Sequence, residues 1–356
     1  MQNKTSGIIA NDSRLVGVLE GSYHITPLSI AAEGANTYII KTASQSFRLY
    51  KVSHKHESQL NGIRVQDRLQ NGEFTYAPAI IKTTGNKLFV KHSHCLYYME
   101  QYIEGQEVLF DTIDDCIGAC RILGSFHSCS SAFKYEGYPA KDTIIRLDRR
   151  LQDNRSQLLS FKSVLDRRKL LTEFDKSYVS YIKELFKRLE LCTGLIHSFT
   201  YDELCQNARQ NHTICHNNLF KSLFKAEDNN LYIRSFSNIS IGLPVYELSE
   251  LLIRLMRLDI FLWDFKYLKE CIQAYNSEKQ LSPQEYGILL SLLVMPDKLL
   301  NIGKKRYIKK KDWSEKKYSQ RLEKALYVFE KQKALISSYA DTYGIQLSPE
   351  KVLDEL

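Results

Sequence analysis

Short apolar runs separated by turn signals fill most of the first hundred residues, a pattern typical of β-strands. Residues 25–52 contain runs rich in Tyr, Ile, Thr and Phe, separated by the turn-forming sequences EGAN and ASQS. A strand pair is predicted at 79–83 and 87–91, joined by the turn TTGN, and LYYMEQYIEG predicts a strand that runs into a connection at Gly105. The pattern therefore predicts a small antiparallel sheet.

Helical spacing marks the other elements. Residues 57–70 form a predicted helix because Leu60, Ile63 and Leu69 lie roughly on one face and Asn71-Gly72 follows as an end signal. Further helices are predicted at 111–128, 246–257, 260–275, 283–294 and 313–339, and an amphipathic helical stripe is formed by Phe174, Tyr178, Ile182, Leu185 and Leu189.

These elements divide the chain into a sheet-rich N-terminal lobe, residues 1–104, and a larger helical C-terminal lobe, residues 105–356. The predicted fold class is α+β, with the bilobal layout of kinases that hold a nucleotide in the cleft between their lobes. A chain of 356 residues exceeds the size at which a single hydrophobic core stops growing, about 250 to 300 residues. Two lobes with a shared core are therefore expected.

Composition favours an ordinary globular protein that is kept inside the cell. Hydrophobic residues make up 44% of the chain and charged residues 25%, which fits neither a disordered nor a fibrous protein. The sequence has no run of about 18 apolar residues, and its first thirty residues lack the basic start and apolar stretch of a secretory signal. The eight cysteines are scattered without a CxxC pair, so we expect reduced thiols.

The net charge of +8 is concentrated in one segment. Residues 304–317 hold eight Lys or Arg against Asp312 and Glu315, which gives +6 within this segment. Lysines can neutralise the phosphates of a nucleic acid, but Tyr307 and Trp313 stand here without a base-stacking module around them. We therefore expect a solvated helical face, or a docking surface for an acidic partner, and no nucleic-acid binding.

A kinase needs a lysine on a strand to hold phosphates, a carboxylate base beside the acceptor hydroxyl, and oxygen ligands for magnesium. The strand FRLYKV contains Lys51, and period-2 alternation places Leu49 on the same face. We expect Leu49 to lie on a base ring and Lys51 on phosphates, with Glu100 and Tyr102 also lining the nucleotide site. The alternative is an ordinary surface lysine on a half-buried strand. The preceding loop, EGANTY, has one glycine and is a weak phosphate cradle.

The segment TICHNNLFKSLF resembles the first of two paired motifs in the aminoglycoside phosphotransferase and choline kinase superfamily, which reads approximately HGDLxxxN. His216 and Leu219 match this pattern. Asn217 replaces its glycine and Asn218 its catalytic aspartate. Leu223 falls where the magnesium-binding asparagine should be.

The segment NLYIRSFSNIS resembles the second motif, a strand that ends in DFD or DFE, but Ser235, Phe236 and Ser237 occupy its carboxylate-rich positions. An amide at 218 does not accept a proton from a hydroxyl as a carboxylate does, and a general base contributes roughly 10²- to 10⁴-fold to a rate. Serine and leucine side chains do not replace the carboxylate oxygens that magnesium prefers. The resemblance therefore implies a kinase fold without intact catalytic residues, with no bound metal or cofactor expected, and with His216 bracing its loop.

Two alternatives stay open. A shifted register could use Asp228 or its neighbour Glu227 as the missing acid, which would leave an active small-molecule kinase that depends on ATP and magnesium. Both acids stand in the turn EDNN, however, where simple exposure is the better explanation. The protein could also retain a nucleotide or another small ligand beside Lys51 and Glu100 without reacting it.

A narrower resemblance covers most of the chain, from the Glu33 loop to Tyr318. The runs DRLQNGEFTYAPAIIKTTGNKLFV, YYMEQYIEGQEV, ILGSFHSCSSAF and LLNIGKKRYIKKKDWSEKKY resemble the CotS-type spore coat proteins of endospore-forming bacteria. Members of that family resemble small-molecule kinases in fold and often have eroded catalytic motifs. The resemblance implies a protein found in the mother-cell cytoplasm and then in the spore coat, with other coat proteins as partners.

Two histidine clusters have a less specific pattern. His54 with His56, and His92 with His94 and Cys95, have the spacing that places side chains on one strand face. A zinc site would need further ligands to converge with either cluster. We therefore expect solvated histidines and no metal site.

Overall fold

The computed structural model describes residues 13–53, 60–131 and 141–347. Within these residues the chain forms two compact units, each assembled from three segments. We call the first the sheet unit; it comprises the described residues of Met1–Phe110, Arg121–Asp142 and His212–Ile241. We call the second the helical unit; it comprises Asp111–Cys120, Thr143–Asn211 and the described residues of Gly242–Leu356. The lobe boundary at residue 104 stays a prediction.

Strands dominate the first part of the described chain and helices the rest. The strands are β1 Ser29–Gly34, β2 Thr37–Lys41, β3 Ser46–Ser53, β4 Ile80–Ile81, β5 Val90–His92, β6 Cys95–Gln101, β7 Gly105–Glu107, β8 Ile214–Cys215, β9 Leu223–Ala226, β10 Leu231–Ile233 and β11 Ser240–Ile241. The helices are α1 Ser13–Tyr23, α2 Leu60–Gln70, α3 Ile113–Ser131, α4 Leu147–Asp166, α5 Glu173–Ser180, α6 Ile182–Ser198, α7 Tyr201–Gln210, α8 Leu219–Ser222, α9 Pro244–Leu255, α10 Phe265–Asn276, α11 Pro283–Val294, α12 Asp297–Gly303 and α13 Glu315–Tyr343. A π-helical turn, Lys304–Ile308, follows α12.

The main sheet of the sheet unit is antiparallel and has the order β1-β2-β3-β6-β4, with β5 also paired to β6. The strands predicted over 25–52 are confirmed as β1, β2 and β3. The strands predicted at 79–83 and 87–91 are present in part as β4 and β5, and the Thr83 N–H donates to the Lys87 carbonyl at 2.9 Å across the predicted turn. The predicted pairing of the two strands is wrong, because β4 and β5 both pair with β6. β4 lies opposite Glu100 and Met99, and β5 lies opposite residues 95–97, so each strand takes a different part of the same edge.

One face of this sheet, which we call the α1 face, packs against α1. Phe47, Leu49 and Met99 are buried there in one cluster with Leu15 and Leu19 of the helix. The sequence patterns above did not predict α1, whose two glycines weaken its intrinsic helix propensity. Its burial against the sheet supplies the stability that this local sequence lacks.

The opposite face, which we call the α2 face, packs against α2. Leu60 and Ile63 of this helix form a buried cluster with Val52 of β3 and Leu96 of β6. Because successive side chains of a strand point to opposite faces, Arg48 and Tyr50 belong to the same side as Val52. The predicted helix at 57–70 is confirmed from Leu60 onward; residues 57–59 lie outside the described residues.

Two helix predictions in the helical unit need correction. The stripe from Phe174 to Leu189 does not form one helix, because α5 ends before Tyr181, whose N–H bonds back to the Tyr178 carbonyl at 3.2 Å. The helix predicted from residue 260 begins at Phe265, where the Asp264 side chain accepts the N–H of Lys266 at 2.8 Å. The chain before it is left-handed at Leu262 and Trp263, which is incompatible with a continuous helix.

One helical stretch of the described chain, Pro283–Ile308, is long and apolar enough to span a membrane by length and composition alone. It consists of α11, α12 and the π-helical turn, with a break at 295–296. Within its most apolar window, 78% is buried inside the protein. Burial of this kind is typical of a core helix.

Candidate functional site

Two short sheets in the sheet unit carry the kinase-like motif residues. β8 pairs with β11, and the chain leaving β8 enters residues 216–218, which we call the first loop. β9 and β10 form a hairpin that also pairs with β7, and the chain leaving β10 enters residues 234–237, the second loop. The N–H of Arg234 donates to the Ser222 carbonyl at 2.7 Å, which holds the start of the second loop against α8.

His216 joins the two loops. Its side chain is 0% exposed, and its Nε2 donates to the Ser235 carbonyl oxygen at 2.7 Å. Its Nδ1 accepts the backbone N–H of Asn218 at 3.4 Å, an arrangement that places the ring proton on Nε2. The imidazole also packs edge-on against Phe126 and Phe236, with ring centroids 5.7 and 5.4 Å away. Both ring nitrogens of His216 are therefore engaged by backbone groups of the two loops.

Asn217 stands where the superfamily pattern has glycine, and its backbone is left-handed with φ of 61°. Asparagine tolerates this conformation better than most side chains. Its side-chain Nδ2 lies 3.1 Å from the Cys215 carbonyl, 3.0 Å from the Asn238 carbonyl and 2.7 Å from the Ser240 hydroxyl. Asn217 therefore ties the first loop to β11 and the residues before it.

Asn218 and Leu223, at the two remaining positions of the first motif, carry no charged oxygen that could bind a metal or accept a proton from a hydroxyl. Asn218 is half-buried directly before α8 and makes no side-chain hydrogen bond to the start of that helix. Leu223 is 3% exposed and opens β9 opposite Ile233, so its side chain is part of the hydrophobic core. An amide and an aliphatic group carry no negative charge for magnesium.

The second loop is closed by its own serines. The Ser235 hydroxyl donates to the Ser237 hydroxyl at 3.0 Å and accepts the Ser237 N–H at 3.3 Å. Between them Phe236 is buried, and its carbonyl packs so closely on Gly62 of α2 that a Cβ at Gly62 would overlap it. The second loop therefore lies next to α2, the helix that covers the α2 face of the sheet.

Asp228 and Glu227, the acids of the shifted-register alternative, are exposed in the β9–β10 turn. The Asp228 carboxylate accepts the backbone N–H of Asn230 at 3.0 Å and its side-chain amide at 2.7 Å, which forms a local turn. The three residues of β10, a length of roughly 10 Å, separate this turn from the second loop.

A buried charged network occupies the α2 face. Arg48 of β3 is 1% exposed, and its Nε and Nη2 donate to both carboxylate oxygens of Glu33 at 2.8 and 2.9 Å. Its Nη1 lies 3.5 Å from the Glu100 carboxylate in β6, and its guanidinium carbon lies 4.9 Å from the centre of the Tyr102 ring. The hydroxyl of Tyr50 donates to Glu100 at 2.7 Å.

Burial and these partners set the protonation of the network. Burial raises the pKa of the Glu100 carboxyl to about 7, although the hydrogen bond from Tyr50 and the charge of Arg48 act to lower it. Burial by itself would lower the pKa of Arg48, but the hydrogen bond and charge of Glu33 raise it above its ordinary value. Burial and the neighbouring Glu100 also raise the pKa of Tyr50. Arg48 therefore stays charged, and Tyr50 stays a hydrogen-bond donor.

The four residues expected to bind a nucleotide do not share one surface. Glu100 and Tyr102 meet around Arg48, whereas Leu49 is fully buried on the α1 face. Alternation along β3 puts Lys51 on that same α1 face. A nucleotide role for these residues stays a prediction.

Sequence reasoning missed Arg48 and Tyr50. The same period-2 argument that grouped Leu49 with Lys51 also groups Arg48 with Tyr50, and an arginine inside an apolar strand was the available signal. Glu33 belongs to the loop EGANTY, for which the sequence predicts only a weak phosphate cradle. The structure makes it the bidentate partner of Arg48 instead.

The histidine clusters can be placed only in part. His92 of β5 lies opposite Cys95 of β6, and His94 between them is exposed with a left-handed φ of 61°. His54 and His56 lie outside the described residues. The expected absence of a metal site stays a prediction.

Comparison with known families gives a match over residues 17–339 to the family described as "Spore coat putative kinase YutH". The chain belongs to this family. The spore coat resemblance drawn from the sequence is thereby confirmed. Spore coat protein S of Bacillus subtilis (strain 168) is 19% identical over 334 residues, which are 90% of this chain and 92% of that protein.

Solved structures of kinases and phosphotransferases share the fold of this spore coat family member. An aminoglycoside phosphotransferase from Alicyclobacillus acidocaldarius matches with a TM-score of 0.70 at 15% identity, over 97% of this chain and 99% of that one. Amicoumacin kinase hAmiN, solved with AMP-PNP, Ca²⁺ and Ami, matches with a TM-score of 0.50 at 12% identity, over 92% and 95% of the two chains. These likenesses confirm the predicted α+β kinase-like fold, with its antiparallel sheet N-terminal and its helices C-terminal.

Proposed function

We propose that this member of the spore coat kinase-like family is non-catalytic and acts in or on the coat through contacts with other proteins. The observation that carries the proposal is the chemistry of the two loops. Asn218, Ser235 and Ser237 offer amide and hydroxyl groups, and Leu223 is a core residue. Phosphoryl transfer requires a proton acceptor beside the substrate hydroxyl and negative oxygens on magnesium, and these groups supply neither.

The network on the α2 face supports the same proposal. Glu33 and Glu100 are carboxylates beside β3, but both are engaged by Arg48, so their charge is balanced inside the network. Arg48 and Tyr50 fill the side of the strand that faces α2 and the second loop, where a kinase would need an accessible lysine. The two loops and the α2 face therefore offer magnesium no carboxylate that is free of Arg48, and we infer that the protein requires neither ATP nor magnesium.

Activity assays test this proposal directly. Purified full-length protein incubated with ATP, magnesium and a panel of sugars and amino alcohols should transfer no phosphate above background, while an aminoglycoside phosphotransferase assayed in parallel should turn over its substrate. The matched variant is Asn218→Ala, because the Asn218 side chain makes no hydrogen bond to the start of α8. Robust phosphorylation by the wild type that disappears in this variant would overturn the proposal.

Localisation tests the coat role without assuming any chemistry. Membership in the family associates the protein with the spore coat, and we propose that it reaches the coat from the mother-cell cytoplasm. A fluorescent fusion followed through sporulation should first be diffuse in the mother cell and then encircle the forespore. A signal that stays diffuse throughout would contradict the coat role.

An active small-molecule phosphotransferase is the second candidate, because the description of the family itself includes the word kinase. Such an enzyme would bind ATP tightly only when magnesium is present. Equilibrium binding of ATP with and without magnesium separates the two candidates. Absent or metal-independent binding supports the non-catalytic protein, and tight metal-dependent binding supports the enzyme.

A further inference from the structure

The basic segment 304–317 is a fixed part of the helical unit. Tyr318 of α13 places its hydroxyl 3.1 Å from the Lys305 carbonyl and 2.8 Å from the Lys311 carbonyl, which clamps both ends of the intervening turn. Tyr307 is buried within that turn and donates its hydroxyl to Asp175 at 3.1 Å. The lysines between these anchors are therefore presented on a defined backbone.

Four cations surround one indole ring at this surface. The charged groups of Lys305, Lys311 and Lys317 lie 5.2, 5.3 and 5.2 Å from the Trp313 ring centre. The Arg321 guanidinium lies 4.3 Å from the same centre. Each cation gains an attraction to the indole, but four like charges this close also repel one another. A polyanion bound at this surface would relieve that repulsion.

Further lysines extend this surface. We define the basic platform as six residues: Lys305, Lys309, Lys310, Lys311, Lys317 and Arg321. Of the two acids in the segment, Glu315 is paired with Arg306 at 2.5 Å, so its charge is partly compensated. Ile308, which is 47% exposed, adds an apolar side chain beside the lysines.

We propose that the basic platform binds an acidic polypeptide segment, a run rich in Asp and Glu on a second protein. Charge complementarity carries this assignment, since a surface with a concentrated excess of positive charge attracts and steers an acidic partner. A polypeptide fits better than a nucleic acid for two reasons. The Trp313 ring is covered by the protein's own cations, which leaves it poorly placed to stack on a base, and exposed Ile308 offers a contact to apolar side chains.

The inference rests on the proposed function, because it names the chemistry of a protein partner for a coat protein. The surface uses no residue of the two loops or of the α2 face. Its occupancy is therefore measurable without any nucleotide, and a failed binding result is distinct from a positive turnover result.

The test uses full-length protein and fluorescein-labelled poly-L-glutamate, with binding followed by fluorescence anisotropy at about 0.15 M salt. The platform variant changes Lys309, Lys310 and Lys311 to Gln; all three side chains are exposed, so the fold should be retained. Removing three exposed charge contacts should weaken binding roughly ten-fold. Changing the same three residues to Arg preserves the charge and should retain wild-type affinity within about two-fold.

The matched control removes three exposed lysines elsewhere in the helical unit: Lys176, Lys183 and Lys266, each changed to Gln. It has the same net charge as the platform variant and should bind poly-L-glutamate like the wild type. An equal loss in the control, or no binding by the wild type, would overturn the proposal. Tighter binding of single-stranded oligothymidylate through the same lysines would also overturn it, in favour of a nucleic-acid partner.

Discussion

Arg48 and Glu100 stand directly opposite each other on β3 and β6, and each side chain is 2% exposed. Moving two charges out of water costs several kcal/mol per ion, which only close pairing and additional hydrogen bonds offset. Here Glu33 holds the other side of the guanidinium and Tyr50 donates to the carboxylate. The face of the sheet beside α2 and the second loop is therefore built around an internal ion pair.

Breaking this pair should be strongly destabilising. Arg48→Met leaves the Glu100 carboxyl buried without its cation, so at pH 8 it must either stay charged or take up a proton, and both cost free energy. We expect the free energy of unfolding to fall by about 3 to 5 kcal/mol. Adding Glu100→Gln removes this ionisable group and should recover about 1 to 3 kcal/mol. Urea denaturation of the two single variants and the double variant measures this coupling.

The control for this cycle is Arg155→Met in the helical unit, because the Arg155–Glu190 pair is largely exposed. Loss of the Arg155–Glu190 pair should lower the free energy of unfolding by at most about 1 kcal/mol. Strictly additive effects of Arg48→Met and Glu100→Gln would show that the pair is not coupled.

The raised pKa of Glu100 predicts a specific pH dependence of stability. The folded protein holds the Glu100 proton up to about pH 7, whereas the unfolded chain releases it near the ordinary value of 4.5. Because the native state binds more protons between these values, this residue makes the free energy of unfolding fall as the pH rises from 4.5 to 7. Glu100→Gln should remove this contribution, so the stability difference between variant and wild type should grow in favour of the variant across that window.

Urea denaturation at several pH values between 4 and 8 measures that difference. The Gln side chain keeps an oxygen that can accept the Tyr50 hydroxyl, which limits any structural change. Parallel stability curves for the two proteins would mean that Glu100 titrates as it does in the unfolded chain.

Gly62 predicts a steric test of the contact between α2 and the second loop. Gly62→Ala would drive its Cβ into the Phe236 carbonyl, so we expect a loss of about 1 to 3 kcal/mol in the free energy of unfolding. The matched control is Gly17→Ala in α1, which is also helical but has open space around its Cβ. It should stabilise the protein by about 0.5 to 1 kcal/mol. Equal effects of the two substitutions would contradict the close approach.

Asn217 combines a left-handed backbone with three side-chain contacts, and two substitutions separate these contributions. Asn217→Gly keeps the backbone conformation but loses the side-chain hydrogen bonds, so we expect a cost of about 1 kcal/mol. Asn217→Ala loses the same bonds and adds the strain of a Cβ at positive φ, about 1 to 2 kcal/mol more. Thermal unfolding ranks the three proteins. An alanine variant as stable as the glycine variant would rule out the backbone contribution.

Local patterns predicted the elements whose stability is local. The hairpins of β1 to β3 follow from alternation and turn signals. The helix predicted at 283–294 has these bounds in the structure as α11, whose first turn is capped by the Ser282 side chain. Elements that depend on distant partners were missed or misassigned. α1 carries two glycines and is stabilised by burial against the sheet. β4 and β5 both pair with the edge of β6 that lies opposite β3.

The absence of acidic side chains at Asn218, Ser235 and Ser237, the positions that resemble the kinase motifs, was readable from the linear chain, because residue identity needs no coordinates. The position of Arg48 was not readable in the same way. Alternation sorts the residues of β3 into two sets, with Leu49 and Lys51 in one and Arg48 in the other, but it does not say which set faces α2. That choice depends on which face of the sheet α1 packs against and which face α2 packs against, and the two helices are distant from each other in sequence. Long-range packing placed Leu49 against α1 and the Arg48 side chain in a buried ion pair on the opposite face.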